Sequence, residues 1–156
     1  EGYTKLDLEN GVYPEYLIHW DSPSGKLHIA GQIDLLVKKG NSIVIGDWKT
    51  NKKIDTKSYF DSKVRSSVKM KFPLNNLDDC NYYHYCLQLS TYAYIIESYN
   101  PDFSIEDLVL VHFDHNDNMT VYHLPYLRKE VERMLSYYEK EHLLQERRLK
   151  NKRIEY

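Results

Sequence analysis

The sequence predicts an α/β fold in which a central mixed β-sheet is flanked by α-helices. Two segments, residues 27–50 and 106–124, each consist of two short runs of β-branched and aliphatic residues joined by a turn. A segment with helical periodicity, residues 79–99, separates them, and another begins at Pro125. Strand pairs that alternate with helices are typical of layered α/β domains.

A first strand precedes these pairs. Residues 12–20, VYPEYLIHW, predict a strand that begins at Pro14 and leads through the turn DSPSG into the first hairpin. Successive strand residues point to opposite faces, so the side chains fall into two sets. One set contains Glu15, Leu17 and His19, and the other contains Tyr16, Ile18 and Trp20.

The central hairpin is predicted from residues 27–38 (LHIAGQIDLLVK) and 42–50 (SIVIGDWKT). Gly40 and Asn41 suit a two-residue turn, because both tolerate a positive φ. This turn determines the register, so that Lys39 pairs with Ser42 and the numbers of all paired residues have the same sum. One face is predicted to form the core through Ile33, Leu35, Val37, Val44 and Trp48.

In this register Asp34 lies opposite Asp47, and Lys49 returns to the same face. Opposed carboxylates repel each other, and a divalent cation would offset that cost. Mg²⁺ binds one or two carboxylates together with water and phosphate oxygens, and a neighbouring lysine can orient the water, so the pattern predicts phosphodiester hydrolysis. The alternative is a bulge or an odd-length loop that holds the aspartates apart and leaves Lys49 as a surface ion-pair partner.

The strings GQID, GDWKT and QLSTY resemble the PD-(D/E)XK nuclease superfamily, in particular its RecB-like exonuclease branch. The resemblance implies a restriction-endonuclease-like core and a deoxyribonuclease that depends on Mg²⁺ or Mn²⁺. It implies that Asp34, Asp47 and the backbone carbonyl of Trp48 hold the metal. It also implies that Lys49 orients or activates the attacking water, and that cleavage leaves 5′-phosphate ends.

The resemblance assigns roles outside the hairpin as well. Glu15, on the strand before Asp34, would be a further catalytic residue that holds a metal or a water. Gln88 and Tyr92, one helical turn apart, would contact the DNA. For these two, the alternative is an amphipathic core helix that happens to carry a tyrosine. The histidine ligand that the family often has on an earlier helix has no counterpart in residues 1–11, which contain no histidine.

Residues 51–79 are polar and basic without clear periodicity, so a long functional loop is predicted. The segment from Lys49 to Lys71 contains eight basic residues and only two acidic ones. Lys52 and Lys53 are predicted to bind DNA phosphates, and the interleaved aromatic residues suit stacking on unpaired bases. Single strands or duplex ends would bind here. A solvated basic face without a ligand is the alternative.

The remaining elements follow from turn and helix signals. The helix of residues 79–99 is predicted to take Asp78 or Asp79 as its N-cap. In the second hairpin, His112, Asp114 and His115 are interpreted as turn chemistry and not as a metal site. The helix after Pro125 is predicted to pack on the sheet through an apolar stripe formed by Leu127, Val131, Met134, Leu135 and Tyr138.

Composition limits the class of protein. With 156 residues, a net charge of −2 and 42% hydrophobic residues, the chain suits one domain with its own core. Neither a signal peptide nor an apolar run of membrane-spanning length is visible, so we expect an intracellular protein, cytoplasmic or virus-encoded within a host cell, without a membrane partner. The chain begins with Glu1 instead of Met, so we expect one nuclease-like domain over residues 1–156 that is excised or truncated at its N-terminus.

Together these observations predict a metal-dependent DNA nuclease, most simply an exonuclease, in replication, recombination or repair. A fused or associated helicase or recombination protein is a compatible partner. Two alternatives remain open, a nuclease-fold module that binds DNA without cutting it and a structure-specific endonuclease. The two cysteines lack the C-x-x-C spacing and are predicted to be free thiols.

Overall fold

The computed structural model describes residues 7–51, 53–63 and 66–154, with side chains up to residue 148. This part of the chain forms a five-stranded mixed sheet, a two-stranded hairpin and two helices, which confirms the predicted α/β fold with a central mixed sheet. In chain order the elements are β1 (Gly11–Asp21), β2 (His28–Lys39), β3 (Ser42–Lys49), β4 (Phe60–Asp61), β5 (Ser66–Ser67), α1 (Asn81–Tyr99), β6 (Ser104–Phe113), β7 (Met119–His123) and α2 (Arg128–Ile154).

The large sheet has the strand order β1-β2-β3-β6-β7. Neighbouring strands are antiparallel except for β3 and β6, which are parallel. A parallel pair needs a crossover connection, and here the small hairpin β4–β5 and α1 lie within it. The crossover brings α1 onto one face of the sheet.

The core lies between α1 and this face, and the prediction of the core face was largely wrong. Leu36 and Ile45, which lie on the face opposite the predicted core and at its apolar end, are fully buried, whereas Trp48 is 45% exposed. Leu35, Val37 and Val44 are half-buried, and of the five predicted core residues only Ile33 is buried. The physical reason is that α1 packs on the face that carries the acid pair, through Leu89, Ala93, Ile95 and Ile96.

The strict alternation of faces breaks beside Asp34. Pro14 pairs with Leu35 and Tyr16 with Ile33, but Glu15, which lies opposite Asp34 between them, has a φ of +52° and forms no ladder pair. A left-handed residue redirects the local strand, as bulges do. This irregularity lets Ile33 and Leu36, at odd and even positions of β2, both face the core.

Helix α2 packs against α1, so the prediction that it packs on the sheet was wrong. Val131 and Leu135 are buried in the same core, whereas Tyr138 of the predicted stripe is 51% exposed. Ser90 of α1 joins the two helices, because its Oγ accepts a hydrogen bond from the Leu127 N–H over 2.9 Å. Since α1 already covers the core face of the sheet, α2 forms the outer layer.

Helix α1 begins at Asn81, and its N-cap is Cys80, which makes no side-chain capping hydrogen bond. The prediction of Asp78 or Asp79 as the cap was wrong, because these carboxylates have other partners, Lys69 and His84. The helix ends as predicted before Pro101, and the Asn100 side chain donates to the Ile96 carbonyl over 2.9 Å.

Residues 53–63 and 66–79 are more ordered than the predicted loop. Besides β4 and β5, they form an isolated bridge between Lys69 and Asp78. Met70, Leu74 and Leu77 form a second small core with Leu87 of α1. Apolar anchors therefore hold this segment against α1.

The turn after β6 has the chemistry expected of it. Asp114 accepts hydrogen bonds from the backbone N–H groups of Asn116 and Asn118, over 2.8 and 3.0 Å. Cys80 and Cys86 are buried free thiols, as predicted. Within the described residues, neither helix is long and apolar enough to cross a membrane.

Candidate active site

The predicted turn and its register are confirmed. Gly40 has a φ of +59°, and the pairs run from Lys39–Ser42 to Leu35–Gly46. An odd-length loop is therefore excluded. The next residues along the two strands are Asp34 and Asp47.

The ladder between β2 and β3 ends at Leu35 and Gly46, and the carboxylate of Asp34 continues the connection beyond it. Asp34 Oδ2 accepts a hydrogen bond from the Trp48 N–H over 3.1 Å. The negative charge of Asp34 contributes to raising the pKa of Asp47, so the two carboxylates lie within electrostatic reach of each other. The strands thus separate where the acid pair lies.

Asp47 is the most buried ionisable residue of the site. It is only 4% exposed, and burial is the main cause that raises its pKa, while Lys49 acts in the opposite direction. Lys49 Nζ lies 2.5 Å from Asp47 Oδ2 in an ion pair. Besides this ion pair, Oδ2 has no hydrogen-bond partner among the described residues.

This donor set fits a divalent cation of the Mg²⁺ type. Such an ion needs one or two carboxylates and takes its other ligands from water and phosphate oxygens. Asp34 and Asp47 supply the carboxylates, and Oδ2 of Asp47 would be shared between the cation and Lys49. Trp48, whose carbonyl is the predicted third ligand, is held beside the acid pair through its N–H.

Glu15 is not gathered with the two aspartates. It lies opposite Asp34 in the sheet, but its side chain is exposed. Across the described ranges, no group of three or more His, Cys, Asp or Glu side chains could hold a metal ion. The role assigned to Glu15 stays a prediction.

Lys49 lies between the acid pair and an aromatic ring. Its side chain is 22% exposed, and Nζ is 5.0 Å from the centroid of the Tyr85 ring. Tyr85 Oη in turn accepts a hydrogen bond from Asn51 Nδ2 over 2.6 Å. The carbonyl of Asn51 is 2.7 Å from His112 Nε2.

His112 belongs to the strand predicted for residues 106–113, as the structure confirms, but its interpretation as turn chemistry together with Asp114 and His115 was wrong. It lies within β6, is 5% exposed and stands beside Lys49 in the parallel register. Sequence reasoning missed His112 and Asn51 because they meet only through the parallel pairing of β3 and β6. The one available signal was the position of Tyr85, one turn before Gln88 on the same helix face.

Gln88 and Tyr92 share a face of α1 as predicted, and Gln88 Nε2 lies 3.4 Å from Tyr92 Oη. Tyr92 packs directly on the backbone of Gly31 in β2, where a Cβ atom would be 2.6 Å from Tyr92 Cε1. The close approach is possible only because residue 31 is glycine. It attaches this face of α1 to β2 three residues before Asp34.

Of the two lysines predicted to bind phosphates, only Lys53 lies within the described residues. Lys53 is exposed, and its Nζ pairs with Asp55 over 2.7 Å. Lys52 lies outside the described residues. Their contact with DNA stays a prediction.

Residues 53–72 carry exposed rings and cations. Tyr59, Phe60 and Phe72 are 77%, 58% and 69% exposed. Three exposed lysines of this segment form no ion pair with any described residue, namely Lys57, Lys63 and Lys71. We call this set of six residues the aromatic-lysine surface.

A comparison with protein-family models found no match, and neither did a comparison with curated proteins. Among solved structures, the chain is similar to one described as "Crystal structure of SSO0001", with a TM-score of 0.44 and 17% sequence identity. The similarity covers 78% of this chain and 46% of that structure, so the chain spans less than half of its length. At this level it carries no argument about function.

Proposed function

We propose that this chain is a DNA nuclease that depends on Mg²⁺ or Mn²⁺ and hydrolyses phosphodiester bonds. One observation carries the proposal: the nearly fully buried carboxylate of Asp47 lies beside a second carboxylate and forms an ion pair with Lys49. Opposed acids are costly in a sheet unless they have a use. A divalent cation between them would balance both charges.

Asp34 and Asp47 would hold the metal, with the Trp48 carbonyl and Glu15 as the further ligands that the family resemblance implies. When bound, the cation supplies Lewis-acid stabilisation of the phosphate and a water of lowered pKa. Asp34 and Asp47 lie directly beyond Leu35–Gly46, the last ladder pair between β2 and β3.

Lys49 has two tasks in this reaction. Its ammonium group, next to Asp47, can orient the attacking water and can donate to a non-bridging phosphate oxygen as negative charge develops. The water oxygen bonds to phosphorus, the P–O3′ bond breaks and O3′ receives a proton. The products are a 5′-phosphate and a 3′-hydroxyl, as in the family that the sequence resembles.

The aromatic-lysine surface supports DNA with unpaired bases as the substrate. Exposed rings stack on bases of any sequence, and lysines without partners neutralise phosphates. Single strands and duplex ends both offer unpaired bases, which favours an exonuclease. Gln88, Tyr92, Lys52 and Lys53 would guide the strand. A fused or associated helicase or recombination protein would supply such strands inside the cell.

The test uses the purified chain with labelled single strands, linear duplexes and closed circles, in Mg²⁺, in Mn²⁺ and in EDTA. We expect metal-dependent shortening of linear DNA, and a loss of about 100-fold or more in Asp34→Asn, Asp47→Asn and Lys49→Met. The matched control is Asp78→Asn, because Asp78 also pairs with a lysine, Lys69, but lies outside the site. It should cut DNA at the wild-type rate.

The other possible results of this cleavage assay either contradict the proposal or identify one of the alternative functions. Cleavage by all three site variants at the wild-type rate would contradict the proposal. Binding of a labelled strand without cleavage in either metal would identify a binding module, and cutting of closed circles would identify an endonuclease.

A further inference from the structure

Tyr85 contacts Lys49, and two further residues are connected to Tyr85 through hydrogen bonds. Tyr85 presents its ring to Nζ at 5.0 Å from the centroid, Asn51 donates to Tyr85 Oη over 2.6 Å, and His112 contacts the Asn51 carbonyl over 2.7 Å. We call Asn51, Tyr85 and His112 the Lys49 bracket. Its members come from the segment after β3, from α1 and from β6.

The direction of each hydrogen bond in the bracket follows from its acceptor. A backbone carbonyl only accepts, so His112 Nε2 carries the proton and donates to Asn51. The Asn51 amide then donates to the phenol oxygen of Tyr85. Because His112 is 5% exposed and Asn51 and Tyr85 are half-buried, water competes little for these bonds.

We propose that the Lys49 bracket is a positioning device that holds the ammonium group at the acid pair. The inference rests on the proposed nuclease function and deepens it. A lysine side chain has four rotatable carbon–carbon bonds and loses its position easily. The Tyr85 ring and the Asp47 carboxylate both attract the cation, and the hydrogen bonds keep the ring from turning.

The bracket makes a prediction that does not depend on cleavage. The ring current of Tyr85 shifts the NMR signals of the Lys49 ε-CH₂ group upfield. With lysine labelled by ¹³C and ¹⁵N, these signals are assigned by their disappearance in Lys49→Arg. We expect the upfield shift to be lost in Tyr85→Leu, which removes the ring.

Variants of the hydrogen bonds separate the bracket from ordinary packing. Asn51→Ala and Tyr85→Phe delete the same hydrogen bond, so both should reduce the shift equally, and the double variant should add nothing. His112→Gln, which can still donate to the Asn51 carbonyl, should retain the shift that His112→Leu reduces.

The matched control is Asn81→Ala. Asn81 also ties the segment after β3 to α1, through the Asp55 N–H at 2.7 Å and the Lys53 carbonyl at 3.0 Å, but it does not contact Tyr85. It should leave the Lys49 signals unchanged. Equal shifts in Asn81→Ala and Asn51→Ala would mean that loosening of the segment is the cause, and would overturn the proposal.

Kinetics test the consequence for the reaction. We expect kcat to fall about tenfold in Tyr85→Leu, the rate equivalent of about 1.4 kcal/mol, with KM changed less than about twofold. In Tyr85→Phe the loss should be smaller. An unchanged kcat in Tyr85→Leu would overturn the positioning role. If the wild-type chain cuts no DNA, the proposed function fails, and the NMR shifts still decide whether the bracket holds Lys49.

Discussion

Replacing Gly31 with alanine would place a methyl group 2.6 Å from Cε1 and 3.0 Å from Oη of Tyr92. Both atoms are at the far end of the ring, so the ring can swing away. Overpacking costs about 1–3 kcal/mol, and alanine regains about 0.4–1 kcal/mol through the unfolded chain. The middle of the two ranges gives an expected net loss of about 1.3 kcal/mol in the free energy of unfolding, measured by urea denaturation.

Two comparisons make this prediction specific. In Gly11→Ala, on β1, the nearest atom would be 3.6 Å away, so this variant should be as stable as the wild type or more stable. In a Tyr92→Ala background, Gly31→Ala should no longer be destabilising, because the obstructing ring is gone. An equal effect of Gly31→Ala in both backgrounds would refute the contact, as would a cost no larger than that of Gly11→Ala.

Three further predictions concern charge and hydrogen bonding. Burial raises the pKa of Asp47, so its contribution to stability is present below the ordinary pKa of 3.8 and is lost as pH rises through the folded value. Asp47→Asn should therefore gain stability relative to the wild type between about pH 4 and pH 7, in thermal unfolding without metal. Hydrogen bonds, first of all from the Asn118 side chain, lower the pKa of Asp114, so Asp114→Ala should lower the Tm at neutral pH, and the difference should shrink below pH 3.8. Ser90→Ala should cost about 1–3 kcal/mol in denaturant unfolding, because it leaves the N–H of Leu127 without its partner; a cost near zero would indicate a replacement partner.

The central turn could be predicted because its determinants are local. Gly40 and Asn41 define the loop, and the register of β2 and β3 follows from it without any knowledge of the rest of the chain. The same locality explains the success at Asp114, whose partners lie within four residues.

The core face could not be read from the same residues. Both faces of the central hairpin carry aliphatic side chains, and the position of α1 decides which one is buried. Trp48 shows the difference, because a large apolar residue is exposed while Asp47 beside it is buried. The break of alternation at Glu15 added to the error, because a strict two-residue period assigns the wrong face to the residues beyond the break.

The environment of Lys49 could not be predicted from the sequence for another reason. Asn51 and His112 belong to segments that are far apart in sequence, and only the parallel pairing brings them together. The prediction of the α1 N-cap was wrong for a similar reason, because Asp78 forms an ion pair with Lys69 of the preceding segment.

The parallel pairing of β3 with β6 also determines when the surroundings of Lys49 can form during synthesis. His112 contacts a residue 61 positions earlier, so during synthesis the hairpin with both aspartates leaves the ribosome long before β6 exists. Until then Lys49 has no strand beside it, and closing so long a loop is slow compared with forming the hairpin. A nascent chain would thus carry its acid pair early and acquire an ordered lysine only once the last strands have joined the sheet.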